Sequence, residues 1–488
     1  MKILITAAGS YGDIAPYTGI GAALIAAGHD VAIATHDTFA PLVRAAGPEF
    51  RRLPADPHSR HPGGTGPGRG SQRALLRTAA AFVNDLGTGL ADAVTPDTEL
   101  LLLSATTAPL GRHLCEAHGI PALGLPLHPT APTREFAPVL SGGRNLGPWG
   151  NRLAGYVAPH IVDRLYADAT RALRTRLGLP PATPRTVRRR FEATRPRVLH
   201  GFSEALLPRP ADWRPGLDVV GNWWPWHAHD APLPPAIEDF LTSGPPPVFI
   251  GFGSMAADQG ERLGALAVRA LHRAHLRGIL QSGTAELTTP NTYPHPTATD
   301  AGAGTVTGPG TEKGAATGTG DVAGTATGTE TSTGKASRTA TGKVSATGTS
   351  TTAPDHTTSP AAPHTASDVL TIGEVPHALL FPRTAAVVHH AGAGTSAAAL
   401  RAGVPSVPVP VTADQPFWAG RLATVGAATP PIPFAALSDD EAADRLAAAL
   451  LHATTESALR ARAADAARRM AAEDGIAAVV SAVARLAN

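Results

Sequence analysis

One stretch restricts the fold of this chain more than any other, Val387 to Pro416. An apolar β-branched run, Ala385 to Val388, ends in two histidines, His389 and His390. A glycine turn at Gly392 and Gly394 follows, Thr395 opens an alanine-rich helix to about Ala402, and a proline-rich strand leads to Asp414-Gln415-Pro416. A strand, a tight glycine turn and a helix N-terminus make an anion site, because unpaired backbone N–H groups and the helix dipole point at the ligand. Glycine lets the backbone approach a phosphate closely. The stretch therefore predicts a phosphate-binding turn inside an α/β unit.

The rest of the chain repeats that grammar. Lys2 to Thr6 reads as a buried strand, Ala7 to Asp13 as a glycine-punctuated turn, and Pro16 to Ala27 as a helix. Strands at Asp30 to Thr35 and Phe50 to Leu53 alternate with a helix near Phe39 to Ala46. A helix from Gln72 to Leu86 leads to strands at Glu99 to Leu103 and Ile120 to Leu125. This alternation argues for βαβ units and a parallel sheet. Leu127 to Trp149 is proline- and glycine-rich, at the strand end where a variable substrate is read. A helix is predicted from Leu153 to Leu177, a strand at Arg197 to Phe202, and a hinge at Leu217 to Gly221. Val248 to Phe252 begins a second series, with Gly253-Ser254-Met255 as its first loop.

From Thr284 to Ser367 the sequence is Thr, Gly, Ala and Ser with almost no large apolar residues. Such a segment buries too little surface to offset its ordering entropy, so it is expected to be a disordered insertion on one loop; His58 to Gly70 is expected to be a mobile loop. The predicted fold class is α/β, two facing Rossmann-like domains with a cleft between them. The expected divisions are a first Rossmann-like domain over 1–216, a second over 217–283 and 368–437, the insertion over 284–367, and C-terminal helices over 438–488.

Composition excludes several classes. A formal charge of +2 on 488 residues gives no case for nucleic acid. A lone cysteine, Cys115, rules out an internal disulfide and fits a reducing compartment, so a cytoplasmic location is expected. No apolar run approaches the roughly 20 residues of a membrane span, and no stable membrane insertion is expected.

Several motifs together resemble one family. Gly9-Ser-Tyr-Gly-Asp-Ile-Ala-Pro16 is similar to the first turn of bacterial and sterol glycosyltransferases, and Ala26 to His36 to their second strand. Ile250-Gly-Phe-Gly-Ser-Met255 resembles their interdomain loop. Gly373 to His377, His389 to Thr395 and Asp414 to Trp418 resemble their nucleotide-sugar signature. The resemblance is to glycosyltransferase family 1 with the GT-B fold, in its sterol glucosyltransferase and bacterial natural-product branches.

What this implies can be set beside the chemistry. His390 aligns with the family's diphosphate histidine, and one ring nitrogen would donate to a phosphate oxygen while Gly392, Gly394 and Thr395 supply amides and a hydroxyl. His389 points to the opposite face by the strand's period of two. Asp414 and Gln415 match the pair associated with donor-sugar hydroxyls, an acceptor and a donor together; the structural alternative is an ordinary N-cap. Ser254 would reach the diphosphate from the second domain, and Val375 lies in the base-side segment. Asp13 is the candidate general base, placed to take the acceptor proton as the anomeric carbon is attacked, the alternative again being an N-cap. Ala391 replaces a family glycine and tightens the turn if that position needs positive φ. Tyr11 stands where the bacterial pattern has arginine, and no aspartate follows the fourth strand. Trp223, Trp224 and Trp226 are expected to pack at the domain junction.

The expectation is an inverting transferase that needs no metal and no cofactor, using a UDP- or TDP-sugar, with UDP-glucose foremost, and a hydroxyl of an apolar acceptor such as a sterol, polyketide or macrolide. Rivals are a catalytically silent nucleotide-sugar-binding helper subunit and a GT-B sugar-nucleotide epimerase. A dinucleotide oxidoreductase ranks last, because the first turn lacks the full G-x-G-x-x-G spacing.

Overall fold

Leu100 to Leu103 shows why these strands form. Four leucines in succession are buried, Leu100 and Leu102 in one apolar core and Leu101 and Leu103 in another. A strand covered on both faces carries an unbroken apolar run, the signature of a parallel sheet sandwiched by helices. The computed structural model describes residues 1–54, 72–227, 232–253, 259–283, 287 and 368–487, the side chains of 72–76 excepted. The insertion expected over 284–367, apart from Leu287, and the loop expected over 58–70 lie outside them.

The first sheet contains seven strands: β1 (Lys2–Thr6), β2 (Asp30–Thr35), β3 (Glu49–Arg52), β4 (Leu100–Leu103), β5 (Ala122–Gly124), β6 (Val198–His200) and β7 (Leu217–Val219). Their order is β3-β2-β1-β4-β5-β6-β7, and every pairing is parallel. The second sheet holds β8 (Val248–Gly251), β9 (Gly278–Gln281), β10 (Val369–Ile372), β11 (Ala386–His389) and β12 (Ser406–Pro408), in the order β10-β9-β8-β11-β12. Each order reverses once, between β1 and β4 and between β8 and β11. Crevices outside the carboxyl ends of strands open at such reversals. The turns after β1, β8 and β11 therefore sit where ligands bind in open α/β sheets.

Three expectations are corrected. The first helix begins at Tyr11, not Pro16, because Asp13 closes its first turn onto Ser10 and so extends the helix toward the strand. The predicted helix Leu153 to Leu177 is two helices, Gly147–Leu165 and Ala167–Arg176. They part at Tyr166, whose hydroxyl donates to the Thr106 carbonyl at 2.8 Å. Leu217–Val219 is not a hinge: it pairs with β6 and completes the first sheet.

Both sheets belong to one compact unit. A shared apolar core joins them, with Val139, Phe202 and Leu206 meeting Leu400, Trp418 and Leu422. The Arg421 guanidinium crosses the same junction and donates to the Leu206 carbonyl at 3.3 Å. The helix Gly475–Ala487 leaves the second half and lies on the first, where Val479, Ala482 and Val483 share a core with Ile3, Ile5 and Leu102. Trp223 is buried beneath its start and donates its indole N–H to the Gly475 carbonyl at 3.2 Å. Trp224 lies under the Arg401 guanidinium at 4.3 Å, and the Trp226 amide donates to Thr18 at 3.0 Å.

Candidate active site

The turn after β1 builds the carboxylate expected on the acceptor side, Asp13. Gly9 has φ +145°, a conformation L side chains avoid, and a Cβ on it would lie 2.5 Å from Asp13 Oδ2. That close approach lets the Ser10 amide and hydroxyl both donate to Asp13 Oδ2 at 2.8 Å. Asp13 is thus in the first turn of the helix Tyr11–Ala26, with Ser10 rather than Asp13 as the N-cap. The residue is exposed, with one carboxylate oxygen held by Ser10. Next to it the Gly9 amide donates to His36 Nε2 at 3.0 Å, fixing the turn to β2. In place of an aspartate after β4 there is a hydroxyl cluster: Thr107 Oγ1 lies 2.7 Å from Thr6 Oγ1 and 3.1 Å from Ser104 Oγ.

The residues expected to hold the donor follow β8, β11 and β12. His389 is buried beside Gly251 and Pro408 in the sheet, and its Nδ1 accepts the Ala391 amide at 3.1 Å. This bond holds the turn closed from below, the supporting role expected of the inward histidine. His390 projects the other way, half-buried, with its ring between two glycines. A Cβ on Gly392 would sit 2.6 Å from His390 Nε2, and one on Gly253 would sit 3.2 Å from Cε1. Burial holds the His390 imidazole down to about 4 and that of His389 to about 3. At neutral pH His390 is therefore an uncharged ring with one N–H to give. Ala391 takes φ +62°, so the position does need the left-handed region. Gly392 caps the helix Ala393–Arg401, whose free amides include those of Gly394 and Thr395.

Asp414 is the N-cap residue of the helix Gln415–Val425, and its Oδ2 accepts the Trp418 indole N–H at 2.9 Å. Gln415 is buried and its Oε1 accepts the amides of Val411 at 2.8 Å and Thr412 at 3.1 Å. Its NH₂ takes no part in these two bonds. Val375 is half-buried in the loop after β10, and Ser254 lies outside the described residues.

The two sides meet. A Cβ on Gly143, in the segment Leu127 to Trp149, would lie 3.2 Å from the backbone of Pro416, and Phe136 makes an edge contact with Phe417, the ring centres 5.4 Å apart. The Tyr11 phenol is pushed up by burial and by the charge of Glu374, from the loop after β10. Burial raises the Asp414 carboxyl, His128 opposes that rise, and the Asp13 carboxylate adds to it. His128, at the root of the same segment, was not singled out from the sequence. Its imidazole is held down by burial and pulled back up by Asp414 and Asp13. The available signal was a titratable residue just past the carboxyl end of a parallel strand.

The first 3–133 residues match the glycosyltransferase family 28 N-terminal domain, and 351–486 match the erythromycin biosynthesis protein CIII-like C-terminal domain. The chain is 30% identical to the O-mycaminosyltylonolide 6-deoxyallosyltransferase of Streptomyces fradiae, over 98% of this chain and 95% of that one. It is 28% identical to the sterol 3-beta-glucosyltransferase UGT80A2 of Arabidopsis thaliana, over 99% of this chain and 65% of that one. The crystal structure of the glycosyltransferase SnogD from Streptomyces nogalater superposes with a TM-score of 0.59 at 17% identity, covering all of both chains. No helix among the described residues is long and apolar enough to cross a membrane. A carboxylate at the first turn, a histidine–glycine turn on the second sheet and this full-length likeness place the chain in the GT-B glycosyltransferases, as a nucleotide-sugar-dependent enzyme of the sterol and macrolide type.

Proposed function

We propose that the chain transfers a hexose, foremost from UDP-glucose, to a hydroxyl of an apolar small molecule, with inversion at the anomeric carbon. The observation that supports the reading is that the segment following β5 of the first half reaches the start of the helix that carries Asp414, where Phe136 makes an edge contact with Phe417 and the two halves share one apolar core. In the step itself, the acceptor O–H gives its proton to Asp13 as its oxygen bonds to the anomeric carbon. The bond from that carbon to the phosphate oxygen breaks, and the nucleoside diphosphate leaves with the electron pair. A single displacement inverts the centre. The His390 N–H and the amides at Gly394 and Thr395 take up the charge that develops on the diphosphate, the task of a preorganised donor set. Asp414 and the Gln415 NH₂ hold sugar hydroxyls. Glucose as the sugar is supported by the likeness to the sterol glucosyltransferases.

The apolar acceptor is supported by the helix Gly147–Leu165. Trp149, Leu153, Tyr156 and Ile161 are exposed along it, and Leu140 and Leu146 precede them on the loop that reaches Pro416. An apolar face of this extent on a monomer marks a binding surface.

An acceptor library assayed with UDP- and TDP-sugars, read by product mass, tests the reaction. Asp13→Asn is expected to lower kcat by at least about 100-fold, the usual scale of general-base catalysis. It should leave nucleoside diphosphate affinity unchanged by calorimetry. Turnover in the presence of EDTA should equal that without it. Wild-type turnover in the Asn variant removes Asp13 from the mechanism.

A further inference from the structure

β1 and β2 run parallel with Thr6 opposite Ala34, and one more rung follows them, the Ala7 amide donating to the Ala34 carbonyl at 3.1 Å. A parallel ladder advances two residues on each chain from rung to rung. The next bond would therefore run from the Gly9 amide to the His36 carbonyl. That carbonyl is already taken. After β2 the chain turns into the short helix Asp37–Phe39, and the Phe39 amide donates to the His36 carbonyl at 3.0 Å. The His36 side chain supplies the acceptor instead, its Nε2 receiving the Gly9 amide at 3.0 Å. A ring nitrogen that accepts an amide proton carries none of its own, so the proton of the neutral ring is on Nδ1.

The imidazole is held firmly enough to act as an anchor. His36 is fully buried, and its ring is tilted against Phe39, the centres 6.3 Å apart, and against Phe82 of the helix Gln72–Ala93, at 6.0 Å. On the far side of the anchored residue stands the Asp13 carboxylate. A Cβ on Gly9 would fall 2.5 Å from Asp13 Oδ2, and the amide and hydroxyl of Ser10 hold that same oxygen at 2.8 Å. The links run without a gap, from imidazole to Gly9 amide, along the Gly9–Ser10 backbone, and from Ser10 to the carboxylate. Glycine is the residue with most conformational freedom to lose. Gly9, at φ +145°, has no side chain to hold it there, and the bond to His36 ties its amide down.

We propose that His36 is a positioning residue for the transfer, whose Nε2 fixes the Gly9 turn and, through it, the direction in which Asp13 presents its carboxylate to the acceptor. The proposal rests on the reading of Asp13 as the base and adds the group that aims it. His36 acts on the first half alone, so its loss slows the transfer step and leaves the hold on the nucleoside diphosphate as it was.

The test compares wild type with His36→Phe, His36→Gln, Asp13→Asn and the double variant His36→Phe/Asp13→Asn. Phenylalanine keeps the packing against Phe39 and Phe82 but offers no acceptor. His36→Phe is expected to lower kcat about 10- to 100-fold, the scale of a small misplacement of a reacting group. The nucleoside diphosphate dissociation constant should not change. Hydrogen exchange at the Gly9 amide should quicken about 10-fold, as the loss of one hydrogen bond implies. His36→Gln, whose side-chain oxygen reaches the place of Nε2, should recover most of the rate and slow the exchange again. Because His36 acts through Asp13, the double variant should be no slower than Asp13→Asn alone. A His36→Phe variant with wild-type kcat overturns the proposal, and so does a double variant that loses the His36→Phe factor in full. Nitrogen NMR shifts of the wild type give a check that needs no variant to fold: the His36 proton found on Nε2 overturns the proposal. If Asp13→Asn is inactive while His36→Phe is fully active, only the role of His36 fails. If Asp13→Asn is fully active, the reading of the base fails and takes the positioning role with it. Melting temperatures of all variants separate either result from misfolding.

Discussion

His390 is held in a slot no wider than its ring. The glycines on either side leave no room for a methyl group, with a Cβ on Gly392 falling 2.6 Å from Nε2. Gly392 itself has φ −63°, an ordinary value, so its conservation of space rather than of backbone freedom is what the site needs. Gly392→Ala should displace the ring and weaken nucleoside diphosphate binding at least about 10-fold, near 1.4 kcal/mol. Titration calorimetry measures this, with the melting temperature expected to change by only a few degrees. Ala391 is a different case. Left-handed φ costs it about 1–2 kcal/mol. Glycine there would give up a buried methyl worth about 0.8 kcal/mol and add about 0.5–1 kcal/mol of chain freedom to the unfolded state. The terms nearly cancel, which is why alanine is tolerated in a turn that asks for glycine. At this scale the sequence separates His390 from His389, because a strand's period of two is a local rule. It is silent on His128, because positions 13, 128 and 414 share no spacing that a local rule can read.

Among the elements, the helix Gly147–Leu165 departs most from its sequence pattern. Its start is earlier than the periodicity suggests because Pro148 is suited to the first turn, where no amide is needed. Its end at Leu165 has no glycine or proline to announce it. The break is set by Tyr166, whose ring enters the core behind β4, a tertiary contact that no local propensity encodes. The first helix was misjudged for the opposite reason: Pro16 resembles a start signal, but the Ser10–Asp13 pair closes a turn upstream of it. The exposed face of Gly147–Leu165 carries its own prediction. Trp149 is 77% exposed and stacked only under the Arg134 guanidinium, at 4.9 Å, so its loss should cost little stability. If it covers an apolar acceptor, Trp149→Ala removes roughly 1.5–3 kcal/mol of burial. Acceptor KM should rise about 10- to 100-fold while donor KM stays within two-fold, as steady-state kinetics with each substrate varied will show.

At the scale of the whole molecule, a set of buried histidines ties stability to pH. Burial holds His113, His377 and His390 down to about 4, and His200 and His389 to about 3. They lie in both halves. Each binds its proton less readily folded than unfolded, where the value is near 6.5. Their contribution is therefore complete above pH 6.5 and is lost as pH falls from there toward 4. The slope is up to about 1.4 kcal/mol per pH unit for each histidine. Melting temperature should be flat from pH 8 to 7 and fall steeply between pH 6 and 4.5; a level profile across that lower range would contradict the burial seen here. The division of the chain was legible as two αβ series because each sheet is made of near neighbours in sequence. That Leu217–Val219 ends the first sheet was not, since three residues beside a proline-rich stretch give too short a pattern to assign.

The helix Gly475–Ala487 has a consequence for how the chain is made. It supplies Val479, Ala482 and Val483 to the core that contains Ile3 and Ile5, a core that Tyr17, Ile20 and Leu24 of the first helix cover only in part. Halves of multidomain chains usually fold one at a time during synthesis. Here the core of the first half is completed only after translation has passed the second, and the part of it that Gly475–Ala487 covers is a natural client surface for chaperones during that interval.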